Sequence, residues 1–325
     1  MQHTALPTLA QIEAASRLVY DEFQATPQYR WQLLSERVGA ECWLKHENHT
    51  PVGAFKIRGG LTYFAQMAAR NALPAEVISA TRGNHGQSIA WAARRHGVRA
   101  TIVVPHGNSV EKNAAMRALG AQLVEHGDDF QAAREHAVAL AKERGAHMVP
   151  SFHPDLVSGV STYWWEFLRA MPHMQTAYVP IGLGSGACAA VAAKLALQHP
   201  VRIVGVVSTL ATTYRDSIAA GQVVEAAVST QIADGMAVRR ADPQALSILR
   251  QHLDRIVAVS DEEVTKAMQL LFSDTHNVAE GAGAAALAAA LQEKQQIAGQ
   301  AVGLALTGGN VDATVFAQVL QARAG

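Results

Sequence analysis

The chain has 325 residues, 49% of them hydrophobic, and no net formal charge at pH 7. That length allows one or two domains around a substantial core. The charge balance, with no Lys/Arg-rich run, excludes a typical nucleic-acid binder, and no apolar stretch is long enough to span a bilayer, Ala284–Leu291 being too short.

In chain order, Met1–Ile12 lacks the charged-then-apolar pattern of a signal peptide. The middle of the chain then alternates short β-branched runs with Ala-rich amphipathic stretches. Strands are expected at Val77–Ala80, Thr101–Val104, Gln122–Val124 and His147–Val149. Helices are expected from Asn84 to Arg95, Val110 to Leu119 and Asp128 to Glu143. A second block follows, with a strand at Ala177–Pro180, a helix at Ala187–Gln198 and a strand at Val201–Val207. Ser260 and Glu263 fit a capping box, so a helix starts there and runs to about Phe272. Ala301–Leu306 is a late strand. This alternation predicts an α/β fold with two open parallel-sheet lobes. Cys42 and Cys188 stand far apart, in no metal or disulfide spacing, which suits a reducing cytoplasm.

Ligands of open parallel sheets bind beyond the carboxyl ends of the strands, and three glycine turns fall there. Thr81-Arg82-Gly83-Asn84-His85-Gly86-Gln87 opens a helix, where backbone N–H groups attract anions. Gly182-Leu183-Gly184-Ser185-Gly186 can cradle a phosphate. Its G-x-G-x-G spacing, and the missing acid after Val207-Ser208, count against a dinucleotide site. Thr307-Gly308-Gly309-Asn310 ends the last strand and offers a hydroxyl. Lys56, one of seven lysines, sits in the apolar window Ala54-Phe55-Lys56-Ile57 with Arg58 close by. Apolar surroundings and a neighbouring cation lower a lysine pKa and make the amine a nucleophile toward aldehydes. A lysine with a buried stem and a head reaching water fits the same window.

Taken in order, these motifs resemble the fold-type II pyridoxal phosphate enzymes, in the threonine dehydratase/serine racemase group. The resemblance runs from Lys45-His46-Glu47-Asn48 to Thr307-Gly308-Gly309-Asn310 and includes Ala233-Asp234-Gly235 and Glu280-Gly281-Ala282-Gly283. It implies pyridoxal 5′-phosphate as cofactor, a small amino acid as substrate and a homodimer. A large cofactor-binding domain over 1–70 and 152–325 and a smaller substrate-loop domain over 71–151 are expected. Lys56 would join the cofactor's aldehyde and, once released, move the α proton. Phe55 would pack on the ring, Asn84 would bond its phenolic oxygen, and Thr307 would face its nitrogen. Gly182, Leu183, Gly184, Ser185 and Gly186 would hold the phosphate, with Gly235 and Glu280 also lining the cofactor. Thr81, Arg82, Gly83 and His85 would take the substrate carboxylate. The implied reaction is loss of water from an L-β-hydroxy-α-amino acid of the threonine/serine type, then hydrolysis to a 2-oxo acid and ammonia.

The chain departs from that pattern at informative places. Racemases of the group carry Ser where Arg82 stands, and arginine is a poor base. The segment matching a divalent-cation site, Gly205 to Thr213, has no carboxylate, so no metal is expected. The usual Ser before Phe-Lys is Ala54, and the usual pyridine-facing Ser is Thr307. Gly159-Val160-Ser161-Thr162 stands where threonine dehydratases read G-Q-G-T, which with Arg82 suggests an altered substrate pocket. Phenylserine and 3-hydroxyaspartate are the candidates beyond threonine and serine. A racemase or β-replacement enzyme, and a cofactor-binding protein without turnover, are the alternatives.

Overall fold

The computed structural model describes residues 6–322. The chain opens with α1 (Leu9–Tyr20), β1 (Gln28–Arg30), α2 (Gln32–Val38), β2 (Glu41–His46) and α3 (Lys56–Ala69). Then come β3 (Glu76–Ala80), α4 (Asn84–Arg95), β4 (Arg99–Val104), α5 (Val110–Ala118), β5 (Gln122–Glu125), α6 (Phe130–Arg144) and β6 (His147–Met148). The second half has α7 (Pro154–Ala170), β7 (Thr176–Pro180), α8 (Ser185–Ala196), β8 (Arg202–Ser208), α9 (Thr213–Ala220), α10 (Pro243–His252) and β9 (Arg255–Val259). It ends with α11 (Asp261–Thr275), α12 (Gly281–Gln292), β10 (Ala301–Leu306) and α13 (Ala313–Gln321).

Two sheets organise these elements. One has the order β1-β2-β10-β7-β8-β9, the other β5-β4-β3-β6. The smaller sheet is parallel throughout. In the larger, five strands are parallel and the edge strand β1 pairs antiparallel with β2. The expected two-lobed α/β class holds, with this antiparallel edge as the one departure from parallel pairing.

The central parallel strands are buried on both faces, β7 and β10 throughout, and the helices explain how. Helix α12 reads Gly-Ala-Gly-Ala-Ala-Ala-Leu-Ala-Ala-Ala-Leu-Gln and is buried from Gly281 to Ala290. Its small side chains let it lie against the large sheet, with α2 and α11 in the same core. Helices α7, α8 and α10 fill the other face. The apolar run Ala284–Leu291 is thus a core helix, and no described helix is long and apolar enough to cross a membrane.

Small residues also bring α3, α4 and α7 together. A Cβ on Gly159 of α7 would fall on the Arg58 carbonyl oxygen, and one on Gly60 would reach the Ser88 carbonyl oxygen of α4 at 2.8 Å. Beneath this contact lies a buried charge network. Arg58, fully buried, donates to Glu47 Oε2 at 2.7 Å, to Glu166 Oε1 at 2.6 Å and to Thr162 Oγ1 at 2.9 Å. Lys45, also buried, donates to Glu166 Oε2 at 2.6 Å and to the Thr26 carbonyl at 2.8 Å. Burial raises the Glu166 carboxyl, but Arg58 and Lys45 outweigh it and hold the group below the usual carboxylate range. Removing one member leaves a buried charge without its partner. Glu166→Ala should therefore lower the unfolding free energy by about 3–5 kcal/mol, read from denaturant titration; a loss within ~0.5 kcal/mol, typical of a surface change, would contradict the role given to this network.

Candidate active site

Between the two sheets lies a cleft lined by the loops that follow β3, β7 and β10. Lys56 enters it from the first turn of α3. Its backbone is anchored from several sides. The Phe55 N–H donates to the Thr307 carbonyl at 3.0 Å, Ala54 bridges Gly308, and Ser88 Oγ donates to the Lys56 carbonyl at 2.6 Å. The Lys56 Nζ donates to Ser185 Oγ at 3.0 Å, which sets the amine at the glycine turn before α8.

The surroundings of that amine push its pKa down to about 8, burial being the cause and Glu280 acting weakly against it. The neighbouring cation expected to assist does not. Arg58 points away from the cleft into its pairs with Glu47 and Glu166. Two residues along a helix are about 200° apart, so Lys56 and Arg58 occupy opposite faces of α3.

The glycine turn is tightly built. Gly184 takes φ +101°, a left-handed conformation that a side chain would strain. A Cβ on Gly182 would fall on the Gly235 carbonyl oxygen, and one on Gly186 would touch the Phe55 ring at 3.5 Å. Tyr214 of α9 braces the turn by donating to the Leu183 carbonyl at 2.8 Å. Neither α8 nor α4 has a side-chain cap at its N-terminus. Both therefore turn free backbone N–H groups toward the cleft, a setting for anions.

On the opposite wall, Asn84 opens α4. Its Nδ2 donates to Glu280 Oε1 at 2.6 Å and its Oδ1 accepts from Asn310 Nδ2 at 2.8 Å. Thr81 Oγ1 accepts from the Gly83 N–H at 3.0 Å. Burial drives His85 down to about 3, with Lys56 adding to the effect, so the imidazole is neutral. Arg82 lines the cleft, and among the described residues its side chain has neither an ion pair nor a hydrogen bond.

Every residue expected at the site lines this cleft except Gly186, which lies one step inside α8 behind Phe55. Lys112, Phe130, Ser151, Asp234 and Val238 also line it and were not anticipated. Phe130 opens α6 and Val238 follows the turn Asp234–Met236; neither position carries a recognisable motif. Conversely, Gly159–Thr162 does not reach the cleft. It lies buried in α7 against α3, where Thr162 accepts from Arg58 and Ser161 donates to the Val157 carbonyl. Its departure from G-Q-G-T therefore concerns packing under α3 and not the substrate pocket. Cys42 and Cys188 are buried free thiols. Among the described residues no group of three or more His, Cys, Asp or Glu side chains is placed to hold a metal.

A low-pKa amine beside a hydroxyl, a glycine cradle that any Cβ would fill, and two uncapped helix N-termini together fit pyridoxal 5′-phosphate, which presents an aldehyde and a phosphate. Comparison with known proteins agrees. Residues 19–308 match the family described as pyridoxal-phosphate dependent enzyme. The chain is 37% identical over 290 residues to an L-threonine ammonia-lyase of Geobacter sulfurreducens, covering 88% of this chain and 71% of that protein. It is 30% identical to the L-threo-3-hydroxyaspartate ammonia-lyase of Saccharomyces cerevisiae, over 98% of both chains. Its fold superposes on maize serine racemase with a TM-score of 0.89 at 25% identity, covering 98% of each. The chain belongs to the pyridoxal-phosphate-dependent enzyme family, with pyridoxal 5′-phosphate as its cofactor.

Proposed function

We propose that this enzyme is an ammonia-lyase that dehydrates and deaminates an L-β-hydroxy-α-amino acid to a 2-oxo acid and ammonium. The observation that carries this reading is Lys56, whose amine has a pKa of about 8 and sits 3.0 Å from Ser185 Oγ. The water lost in elimination is regained when the enamine product hydrolyses, so the net change converts the hydroxy amino acid to oxo acid and ammonium alone. Relatives named ammonia-lyases support the reaction class.

Pyridoxal 5′-phosphate, when bound, supplies the electron sink that makes an α proton removable. The protein's part is to bind, orient and move protons. Lys56 would hold the cofactor by its aldehyde and, once the substrate amine has displaced it, would take the α proton. Gly182, Leu183, Gly184 and Ser185 would hold the phosphate, Phe55, backed by Gly186, and Gly235 would pack beside the ring, and Thr307 would face the ring nitrogen. Asn84, backed by Glu280, meets the phenolic oxygen. Thr81, Gly83 and His85, on the lobe formed by residues 71–151, take the substrate carboxylate. Arg82 stands where a racemase needs a second base and cannot act as one, which favours elimination over racemisation. A homodimer in the cytoplasm completes the reading, the first part measurable by light scattering.

The β-substituent is the finer question. Phe130 and Val238 give the cleft apolar surface for a phenyl group, as in phenylserine. Arg82, a cation without a partner among the described residues, supports a carboxylate instead, as in 3-hydroxyaspartate. A panel of L-threonine, L-serine, threo-phenylserine and threo-3-hydroxyaspartate, assayed for ammonia and 2-oxo acid, tests the function. Racemised substrate without ammonia overturns it, as does a bound cofactor with no turnover of any hydroxy amino acid.

Three outcomes are expected. Lys56→Ala should reduce ammonia release by about 1,000-fold or more and abolish the visible absorbance of the lysine-bound cofactor; retention of both would refute the assignment. Loading of apoprotein with the cofactor requires the neutral amine, so its rate should rise as pH climbs through about 8 and level above it; stopped-flow absorbance at several pH values measures this. Arg82→Leu should lower kcat/KM for 3-hydroxyaspartate by about 10–100-fold, the worth of a charged hydrogen bond, while sparing phenylserine. An equal loss on both substrates would show that Arg82 takes the α-carboxylate they share.

A further inference from the structure

One charged side chain in the cleft has no part in the chemistry above. Lys112 belongs to α5, on the four-stranded lobe, yet it is buried against the other lobe. Its Nζ lies 2.9 Å from Asp234 Oδ2 and 3.2 Å from Glu280 Oε2. The contact with Glu280 is an ion pair and not a well-aligned hydrogen bond, since Oε2 has no hydrogen-bond partner. The aliphatic stem crosses directly over Gly83, where a Cβ would collide with Lys112 Cδ. Helix α5 is itself clasped to the large lobe. Asp312, the cap residue of α13, accepts from Ser109 Oγ and from the N–H groups of Val110 and Glu111, while Glu111 accepts from the Ala313 N–H at 2.8 Å.

Glu280 stands at the N-cap of α12 without capping it. Its other oxygen is spent on Asn84 Nδ2, and Asn310 occupies Asn84 Oδ1. The amide orientation is thereby fixed, and one Nδ2 hydrogen is left with no protein acceptor among the described residues. The charged groups facing Glu280 are Lys112 from α5, Asp234 from the turn before α10 and, farther off, Lys56 from α3.

We propose that Lys112 is a positioning residue of the active site: reaching across the cleft, it pairs with Glu280, and Glu280 fixes the Asn84 amide toward the cofactor. The proposal rests on the reading that Asn84 meets the cofactor's phenolic oxygen. Burial alone would lower the Lys112 pKa, and the carboxylates of Glu280 and Asp234 reverse that, so the ammonium persists. The Glu280 carboxyl stays above the usual carboxylate range: burial raises it most, Lys112 is the main force pulling it back, and Asp234 raises it again. Without Lys112, Glu280 would face Asp234 in a dry wall and take up a proton.

The visible absorbance of the holoenzyme as a function of pH tests this, since a charge behind Asn84 alters the bound ring's spectrum without any turnover. In Lys112→Met the midpoint of the spectral transition should move up by about one pH unit or more, and Lys112→Arg should restore it. Glu280→Gln, which keeps an acceptor for Asn84, should shift the band and remove that transition. The double variant should match Glu280→Gln alone. Should Lys112→Met fail to fold, Glu280→Gln carries the test: an unchanged spectrum and midpoint there would overturn the proposal. A Lys112→Met enzyme that loses thermal stability but keeps the original midpoint would make Lys112 a plain inter-lobe ion pair and overturn it too. Asn84→Ala separates the layers. If its spectrum is unaltered, the underlying reading of Asn84 is what fails; if it shifts while the Lys112 and Glu280 variants do not, only the present proposal fails.

Discussion

The start of α3 has to hold two cations of opposite duty within three residues. Lys56 must lose its proton near neutral pH, and Arg58 must never lose its own. The helix achieves this by facing them in opposite directions. Taking an ion out of water costs several kcal/mol even after relaxation, and Arg58 offsets that with two carboxylates and two hydroxyls, those of Thr162 and Thr26. With Lys45 and Glu47 the group contains two positive and two negative side chains, so the interior carries no net charge. The network joins the end of β2, the first turn of α3 and the middle of α7. It fixes the platform on which the reactive amine stands while adding no field of its own sign to the cleft.

Much of this was readable from the chain. The strand–turn–helix units after β3 and β7 have glycines and apolar runs that are local in sequence, so the elements and the loop residues Asn84, Gly184 and Ser185 were found with near-correct bounds. The capping box of Ser260 and Glu263 is present as expected. What escaped is non-local. Lys112 sits in an ordinary amphipathic helix, and only the approach of the first turn of α5 to the other lobe gives it Glu280 and Asp234 as partners. Tyr214 braces the glycine turn from 31 residues away in sequence. Gly159–Thr162 misled for the same reason: its motif is visible, but its neighbours are Arg58 and Thr62, not the cleft. The low pKa of Lys56 was anticipated with half of the right cause, because a residue two positions away on a helix is close in number and remote in direction.

The cleft draws its walls from both lobes. The large lobe contributes the amine, the glycine cradle and Thr307; the smaller one contributes the loop from Thr81 to His85. Neither wall alone encloses a ligand. The cross-lobe contacts of α5, with caps exchanged between Asp312 and Glu111, keep the two walls in register.

Strand order adds a constraint in time. The smaller sheet is drawn from one continuous stretch, Glu76 to Met148, and its strands can pair as soon as that stretch has left the ribosome. The larger sheet cannot. Its central strand β10 is the last of the described strands, yet it pairs with β2 on one side, Ala301 beside Glu41, and with β7 on the other. Until residue 306 is made, β1–β2 and β7–β9 are two fragments with no sheet between them. Closing a contact over some 260 residues is slow relative to local pairing. The turn that carries Thr307 is also the one that anchors Phe55 and Ala54 beside Lys56. Cofactor capture is thus tied to the making of β10: a nascent chain has its smaller lobe, but not the arrangement that holds the lysine, until the turn at Thr307 and Gly308 is available.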